Sequence, residues 1–95
     1  MVLVEVNFFS DVKMLTKDGK IEIDIPDHSK VMDLLKILVR NYGEPLGRYI
    51  FDDENCLNRH LAIIVNGRGI GVLDGLDTIL IGGDSISLMP AVGGG

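Results

Sequence analysis

The chain has 95 residues, a single cysteine and a formal net charge of −5. With 46% hydrophobic residues and only three prolines, it should form one compact domain rather than a disordered segment. No apolar run approaches the ~20 residues of a membrane span, and the amino terminus lacks a signal-peptide pattern, so a cytoplasmic protein is expected. The acidic balance, without a basic cluster, argues against nucleic acid and anionic membranes as partners and favours a protein with a basic face. Cys56 alone can form neither an internal disulfide nor a cysteine-rich metal site.

The first third of the chain predicts a β-hairpin. Apolar residues alternate with others from Val2 to Phe9, which is typical of a half-buried strand. The turn signal Asp18-Gly19 precedes a second alternating run, Lys20 to Ile25, which ends at Pro26. The connection from Ser10 to Lys17 contains apolar residues, so part of it should pack inward.

The middle of the chain predicts one amphipathic helix. Apolar residues recur at helical spacing over the segment from Lys30 to Tyr42. Ser29 is the expected N-cap, and Gly43 with Pro45 provides the stop signal. A short helical turn is expected within Gly47 to Phe51.

The last third predicts two more strands. Leu61 to Val65 is rich in β-branched residues and runs into the tight-turn pair Asn66-Gly67. After the turn Gly82-Gly83-Asp84, alternation predicts a final strand that ends at Met89 and Pro90. The order strand, strand, helix, strand, strand indicates an α+β domain in which the helix covers one face of a sheet.

Few residues suggest catalytic or metal chemistry. The acidic run from Asp52 to Glu54 lacks the other ligands of a calcium loop, so we interpret it as solvated, with a cation site as the alternative. His28 and His60 flank different predicted elements, and no Ser-His-Asp or Cys-His spacing accompanies them. The glycine-rich stretch from Gly67 to Gly71 is followed by no helix, which favours a turn over a phosphate loop. Asp84 is expected to fix a turn through its side chain. We therefore predict no metal site and no catalytic machinery in the domain.

The carboxyl terminus is the candidate functional segment. Residues 91–95, Ala91-Val92-Gly93-Gly94-Gly95, are predicted to form a flexible tail after a folded domain of residues 1–90. Glycines lack a Cβ and can enter a channel too narrow for other residues. Five extended residues, at ~3.3 Å each, would reach roughly 16 Å into a partner protein. The alternative is a frayed end without function.

Several ordered motifs resemble those of the ubiquitin-like sulfur carriers, especially the small subunit of molybdopterin synthase. The resemblance covers nearly the whole chain, and four features carry it: Val65-Asn66-Gly67, Gly83-Asp84 before the last strand, Pro90, and the terminal glycines. It implies a β-grasp fold of order ββαββ, with the first and last strands near the centre of a mixed sheet. The triple glycine departs slightly from the usual ending, because Gly93 takes the place of another small residue.

The resemblance also implies a function for the tail. An adenylating enzyme of the ubiquitin-activating type would use ATP to adenylate the Gly95 carboxylate, and sulfur would then replace the adenylate as a thiocarboxylate. The large subunit of molybdopterin synthase would accept that sulfur. Val92, Gly93 and Gly94 would lie in the partner's active site, and the carrier itself would bind no cofactor.

An apolar patch on the open sheet face is the docking surface that the family implies. Phe9 and Met89, which have the outward phase, and Ile70 in the nearby loop are the candidates, with packing inside the core as the alternative. Two other functions stay open: a protein modifier joined through Gly95 to lysine amines, and a non-covalent β-grasp interaction module. The sequence does not distinguish molybdopterin from another final sulfur acceptor.

Overall fold

The computed structural model describes residues 1–53 and 56–91, which form a mixed five-stranded sheet, three α-helices and a small two-stranded sheet. The strands are β1 (Val2–Phe8), β2 (Lys20–Ile25), β3 (Phe51–Asp53), β4 (Cys56–Leu57), β5 (Leu61–Val65), β6 (Arg68–Gly69) and β7 (Ser85–Pro90). The helices are α1 (Ser10–Thr16), α2 (Val31–Tyr42) and α3 (Glu44–Ile50), with 3₁₀ turns at Ile70–Val72 and Gly75–Asp77.

The five strands lie in the order β2-β1-β7-β5-β6, which places the last strand at the centre. β1 pairs antiparallel with β2 and parallel with β7, and β7 pairs antiparallel with β5. Strands β3 and β4 pair separately. The predicted β-grasp arrangement, with the first and last strands adjacent in the middle, is confirmed.

One face of the sheet packs against α2 and buries the core. The alternation predicted for β1 is observed: Val4, Val6 and Phe8 are almost fully buried. On α2 the buried side chains are Val31, Leu34, Leu35 and Leu38, and β7 contributes Ile86 and Leu88. The opposite face of the sheet carries no helix among the described residues, and this open face holds Phe9 and Met89, two of the predicted interface residues.

The start of α2 differs from the prediction by one residue, because Ser29 is not its N-cap. The N-cap is Lys30, whose backbone N–H donates to the Asp33 carboxylate at 2.9 Å. The Ser29 hydroxyl instead donates to the Pro26 carbonyl at 2.7 Å and is buried. Ser29 therefore stabilises the turn that precedes the helix.

Two helices differ from the prediction: α1 was not predicted, and α3 is longer than the expected helical turn. The connection Ser10 to Lys17 forms α1, which buries Val12 and Thr16 but leaves Met14 and Leu15 exposed, so only part of it packs inward. The helical turn expected at Gly47 to Phe51 belongs to α3, which begins earlier, at Glu44, with Pro45 in its first turn. Proline is favoured there, since the first N–H groups of a helix have no partner within it. Pro45 thus follows the end of α2 and also helps to begin α3.

The turn Asn66-Gly67 is confirmed as the link between β5 and β6. Both residues have positive φ, 51° and 84°, as a type I′ hairpin turn requires. The Asn66 side chain also donates to Asp84 Oδ1 at 2.8 Å and accepts from the Ser85 backbone N–H at 2.9 Å. This turn is therefore tied to the turn that begins β7.

Candidate functional site

The root of the tail is held at one end of the sheet. Pro90, the last residue of β7, lies opposite Leu61 of β5. One residue further, the Ala91 N–H donates to the His60 carbonyl at 2.8 Å. Ala91, the first residue of the predicted tail, is thus still bound to the body. Val92, Gly93, Gly94 and Gly95 lie outside the described residues.

Pro90 lies in a central strand and has no N–H to donate. At this position no acceptor on the β1 side is left without a donor. Along β7 the carbonyls of Asp84 and Leu88 accept from β1 and its continuation, at Glu5 and Phe9. The alternation of a strand would direct an N–H at position 90 toward the Phe9 carbonyl. That carbonyl instead accepts from Val12 and Lys13 at the start of α1. Proline can therefore occupy a central strand here without removing a sheet hydrogen bond.

An apolar patch lies on the open face beside this tail root. Phe9 is 44% exposed, and Met89 is partly exposed and pairs with Ala62 on β5. Ile64, two residues beyond Ala62, has the same phase and is also partly exposed. We call these four residues, Phe9, Ala62, Ile64 and Met89, the tail-side patch. Two of the three predicted interface residues, Phe9 and Met89, belong to it.

Ile70, the third predicted interface residue, belongs to the core instead. Its side chain is only 8% exposed and lies within the main hydrophobic cluster. The 3₁₀ turn Ile70–Val72 directs Ile70 inward and leaves Val72 at its other end 78% exposed. Placing Ile70 on the docking surface was therefore wrong.

A polar network occupies the middle of the open face. Glu5 accepts hydrogen bonds from Asn7 and Ser85, at 3.2 and 3.1 Å, and pairs with Lys20 at 3.1 Å. These contacts, with Lys20 first, lower the pKa of the Glu5 carboxyl below its ordinary value. A carboxylate that is already compensated and ionised is a poor proton donor at neutral pH. The network therefore separates the tail-side patch from the far end of the face and shows no sign of acid–base chemistry.

The remaining candidate side chains do not form a cluster, although the main chain of His60 holds the root of the tail. His28 and His60 are both exposed and occupy different loops, and Asp52 and Cys56 are exposed on the small sheet. Within residues 1–53 and 56–91, no three His, Cys, Asp or Glu side chains are close enough to hold a metal ion. In the same ranges no helix is long and apolar enough to span a membrane.

Sequence reasoning missed the contributions of β5 to the site. Leu61 to Val65 is apolar at every position, so the sequence shows no alternation there. It therefore did not reveal that Ala62 and Ile64 face away from the buried residues of the strand. The His60 carbonyl was missed because main-chain partners depend on strand register. The pairing of Met89 with Ala62 shows which side chains of β5 share the open face with Met89, and it also places the His60 carbonyl opposite Ala91.

Comparison with known proteins places this geometry among small carrier and modifier proteins. The model of the ThiS family matches residues 6–95. The chain is 34% identical over 92 residues to small archaeal modifier protein 3 of Haloferax volcanii, covering 97% of this chain and 98% of the relative.

Solved structures agree on the fold. Small archaeal modifier protein 1 of Methanosarcina acetivorans superposes with a TM-score of 0.82 at 29% identity, covering 100% of this chain and 98% of that one. A Pyrococcus furiosus protein, whose proposed assignment is subunit 1 of the molybdopterin converting factor, gives 0.79 at 27% identity, covering 97% and 100% of the two chains. The similarity in each case extends through the whole domain.

Proposed function

This chain belongs to the ThiS family of ubiquitin-like sulfur carriers, and we propose that it carries sulfur as a thiocarboxylate on Gly95 for molybdopterin synthesis. The observation that carries the proposal is the anchoring of the tail root. The Ala91–His60 hydrogen bond extends the β5–β7 ladder past Pro90 and holds Ala91, the last described residue, against the body. Ala91 lies at the edge of the tail-side patch, one residue after Pro90, so a partner that covers the patch would also be close to the root of the tail.

The proposed chemistry begins with activation of the carboxylate. A free carboxylate resists nucleophiles because its charge is delocalised over two oxygens. An ATP-dependent adenylating enzyme would let a Gly95 oxygen attack the α-phosphorus, forming an acyl adenylate and releasing pyrophosphate. A hydrosulfide-level sulfur then attacks the carbonyl carbon, the bond to AMP breaks, and AMP leaves with its oxygen. The product is a thiocarboxylate, with one proton released.

The carrier needs no acid, base or metal of its own for these steps. We propose that the adenylating enzyme and the large subunit of a molybdopterin synthase supply the catalytic groups, in the cytoplasm. Their narrow channels would orient the tail and exclude water from the adenylate. ATP is a substrate of the activating enzyme, and the carrier holds no cofactor.

The tail-side patch would provide the affinity that the tail lacks. Ordering each backbone residue costs on the order of 1–2 kcal/mol, and glycines contribute few contacts in return. Phe9 and Met89 can repay part of this cost by apolar burial next to the tail root. Met89 also suits a surface that serves two partners in turn, because its thioether adapts to differently shaped pockets.

A second candidate function is conjugation of Gly95 to lysine amines of other proteins. It is favoured by the 34% identity to a small archaeal modifier protein. Both functions use the same adenylate, and they differ in whether sulfur or an amine displaces AMP.

Mass spectrometry of the protein isolated from its host tests the proposal. A thiocarboxylate replaces one oxygen of the terminal glycine by sulfur, and we expect that mass change in the intact protein and in the fragment that contains Gly95. An isopeptide between Gly95 and a lysine would favour the modifier function instead. A terminus that stays unmodified after incubation with the host's adenylating enzyme, ATP and a sulfur source would contradict both and favour a non-covalent module.

A further inference from the structure

A groove lies at the end of the sheet away from the tail. Its volume is about 410 Å³, and its lining includes Val65, Arg68, Leu73, Ile79, Ile81 and Asp84. We call it the tail-distal groove. It adjoins the start of β7, whereas the tail leaves from the end of that strand, five residues further. At ~3.4 Å per residue, roughly 17 Å of sheet separates the groove from the tail root.

The groove exposes more aliphatic surface than a solvated edge requires. Ile79 is 54% exposed and Ile81 is 65% exposed, and both line the groove together with the partly buried Leu73. β-branched side chains have few rotamers, so they present this surface with little loss of entropy on binding. Clustered exposed aliphatic side chains of this kind are typical of an interaction site.

The main chain that carries the two isoleucines is hydrogen-bonded to the segment that begins α2. The Thr78 carbonyl accepts from the Val31 N–H at 2.9 Å, and the Leu80 N–H donates to the Ser29 carbonyl at 2.8 Å. The Ile81 N–H donates to Asp84 Oδ2, also at 2.8 Å. The isoleucines are thus preorganised on a short extended segment.

Ile79 itself presents an unused backbone edge. Its bridge to Lys30 uses the N–H and C=O groups of the flanking residues. The N–H and C=O of Ile79 point the other way, and within residues 1–53 and 56–91 they form no hydrogen bond. An extended peptide segment can supply both partners, as in the addition of a strand to an open sheet edge.

The charge in the groove indicates the chemistry of that segment. Asp84 is buried, and its two oxygens already accept from Asn66 and Ile81. Arg68 is exposed and forms no ion pair within the described ranges. Arg68 is the cation among the lining residues, and its guanidinium keeps its donors for a carboxylate, which is its natural partner.

We propose that the tail-distal groove binds an extended segment of a partner protein in which branched apolar residues adjoin an aspartate or glutamate. The chain's own tail does not fit this role, because Ala91 is bound to the body and the four residues after it reach at most roughly 13 Å, whereas the groove is roughly 17 Å away. The groove consequently stays open while the tail lies in another protein. A partner can hold the carrier there throughout activation and delivery.

A titration of the ¹⁵N-labelled full-length chain tests the proposal. The probe is the peptide acetyl-Ser-Val-Leu-Asp-Val-Ser-amide, and the control peptide has asparagine in place of aspartate. We expect saturable shifts of the Arg68, Ile79 and Ile81 amide signals, with slower exchange of the Ile79 amide proton. Binding should weaken by roughly fivefold, the size of one exposed ion pair, for the asparagine peptide and for R68Q.

Two matched variants complete the test. R40Q removes a cation from the exposed face of α2 and should leave the affinity unchanged, and deletion of Gly95 should do the same. An R40Q effect as large as that of R68Q would overturn the assignment, because any cation would then serve. Equal binding of the two peptides, shifts centred on Phe9 and Met89, or no saturable shift would also overturn it. None of these outcomes depends on whether Gly95 carries sulfur.

Discussion

The side chains of Asn66 and Asp84 join two turns that meet at the start of the central strand β7. Asn66 Nδ2 donates to Asp84 Oδ1 at 2.8 Å, and Asp84 Oδ2 accepts from the Ile81 N–H at the same distance. Asp84 is 7% exposed, and removal of its carboxylate would delete both of these hydrogen bonds. This single carboxylate therefore fixes where β7 begins.

We predict that Asp84→Ala lowers the free energy of unfolding by about 2–4 kcal/mol, since two hydrogen bonds to a buried acceptor are lost. Asp84→Asn should cost less, because an amide oxygen can still accept from Ile81, although its NH₂ group would oppose that of Asn66. Urea unfolding monitored by circular dichroism measures both variants. Asp24→Ala on the exposed side of β2 is the control and should change stability by less than ~0.5 kcal/mol. If Asp84→Ala matches this control, Asp84 does not fix the turn.

Tyr42 gives a prediction about pH. Its hydroxyl donates to Asp18 Oδ2 at 2.8 Å, and burial, aided by the Asp18 carboxylate, raises the pKa of Tyr42 from 10.0 to about 12. The folded state therefore keeps the phenol proton to higher pH than the unfolded chain does. The contribution to stability is complete below pH 10 and is lost as the pH rises from 10 to 12.

Urea unfolding of wild type and Tyr42→Phe between pH 9 and pH 12 isolates this contribution, because other groups titrate in both proteins. The stability difference between them should shrink as the pH rises. A constant difference across that range would show that the pKa of Tyr42 is not raised.

The tail should function only with its free end in place. If the Gly95 carboxylate is the reacting group, deletion of Gly95 or extension by one alanine should abolish ATP–pyrophosphate exchange by the cognate adenylating enzyme. The melting temperature should not change, since the last residue with a described contact to the body is Ala91. Undiminished exchange by both variants would contradict the proposed role of Gly95.

The channel that receives the tail should be too narrow for a branched side chain. Gly94→Val should block adenylation while the body still binds, because a β-branched residue adds bulk and restricts the backbone. Gly71→Val is the matched control, since Gly71 is exposed and a Cβ there would meet no heavy atom within 4 Å. Affinity and turnover should be measured on the same preparation. Normal turnover by Gly94→Val would show that the channel is wide.

The sequence predicted those parts of the fold that local patterns encode. Alternation located β1 and β2, helical spacing located α2, and the pair Asn66-Gly67 located a turn whose two positive φ angles few other residues tolerate. The seven residues of α1 are too few for a clear helical period, and the helix begins where the Phe9 carbonyl leaves the sheet. That event depends on contacts between distant segments, which no local pattern records.

The candidate site was also predicted only in part, because some of its contacts join segments that are distant in the sequence. Phe9 and Met89 followed from the outward phase of their strands. Ile70 was misplaced, since a three-residue 3₁₀ turn has no phase that the sequence can supply, and one end of that turn lies in the core while the other is in solvent. The Ala91–His60 hydrogen bond required the register of β5 on β7. Family resemblance gave the order of the strands but not these individual contacts.

Phe9 and Leu3 lie along the same strand and its continuation, so comparing them tests which end of the open face is the docking surface. Both have the phase of the open face, and their exposed fractions are close, 44% and 47%. Six residues separate them, or roughly 20 Å of extended chain, so Phe9 lies beside the tail root and Leu3 at the opposite end.

Phe9→Lys should weaken binding to the adenylating enzyme by about tenfold or more, because a charge would be desolvated against an apolar surface. Met89→Lys should act in the same direction. Leu3→Lys should have little effect on binding, and all three variants should keep melting temperatures near that of wild type. Isothermal titration beside a thermal scan measures both quantities. Equal losses of affinity for Phe9→Lys and Leu3→Lys would show that position on the face does not matter, and a collapsed melting temperature for Phe9→Lys would place that side chain in the core.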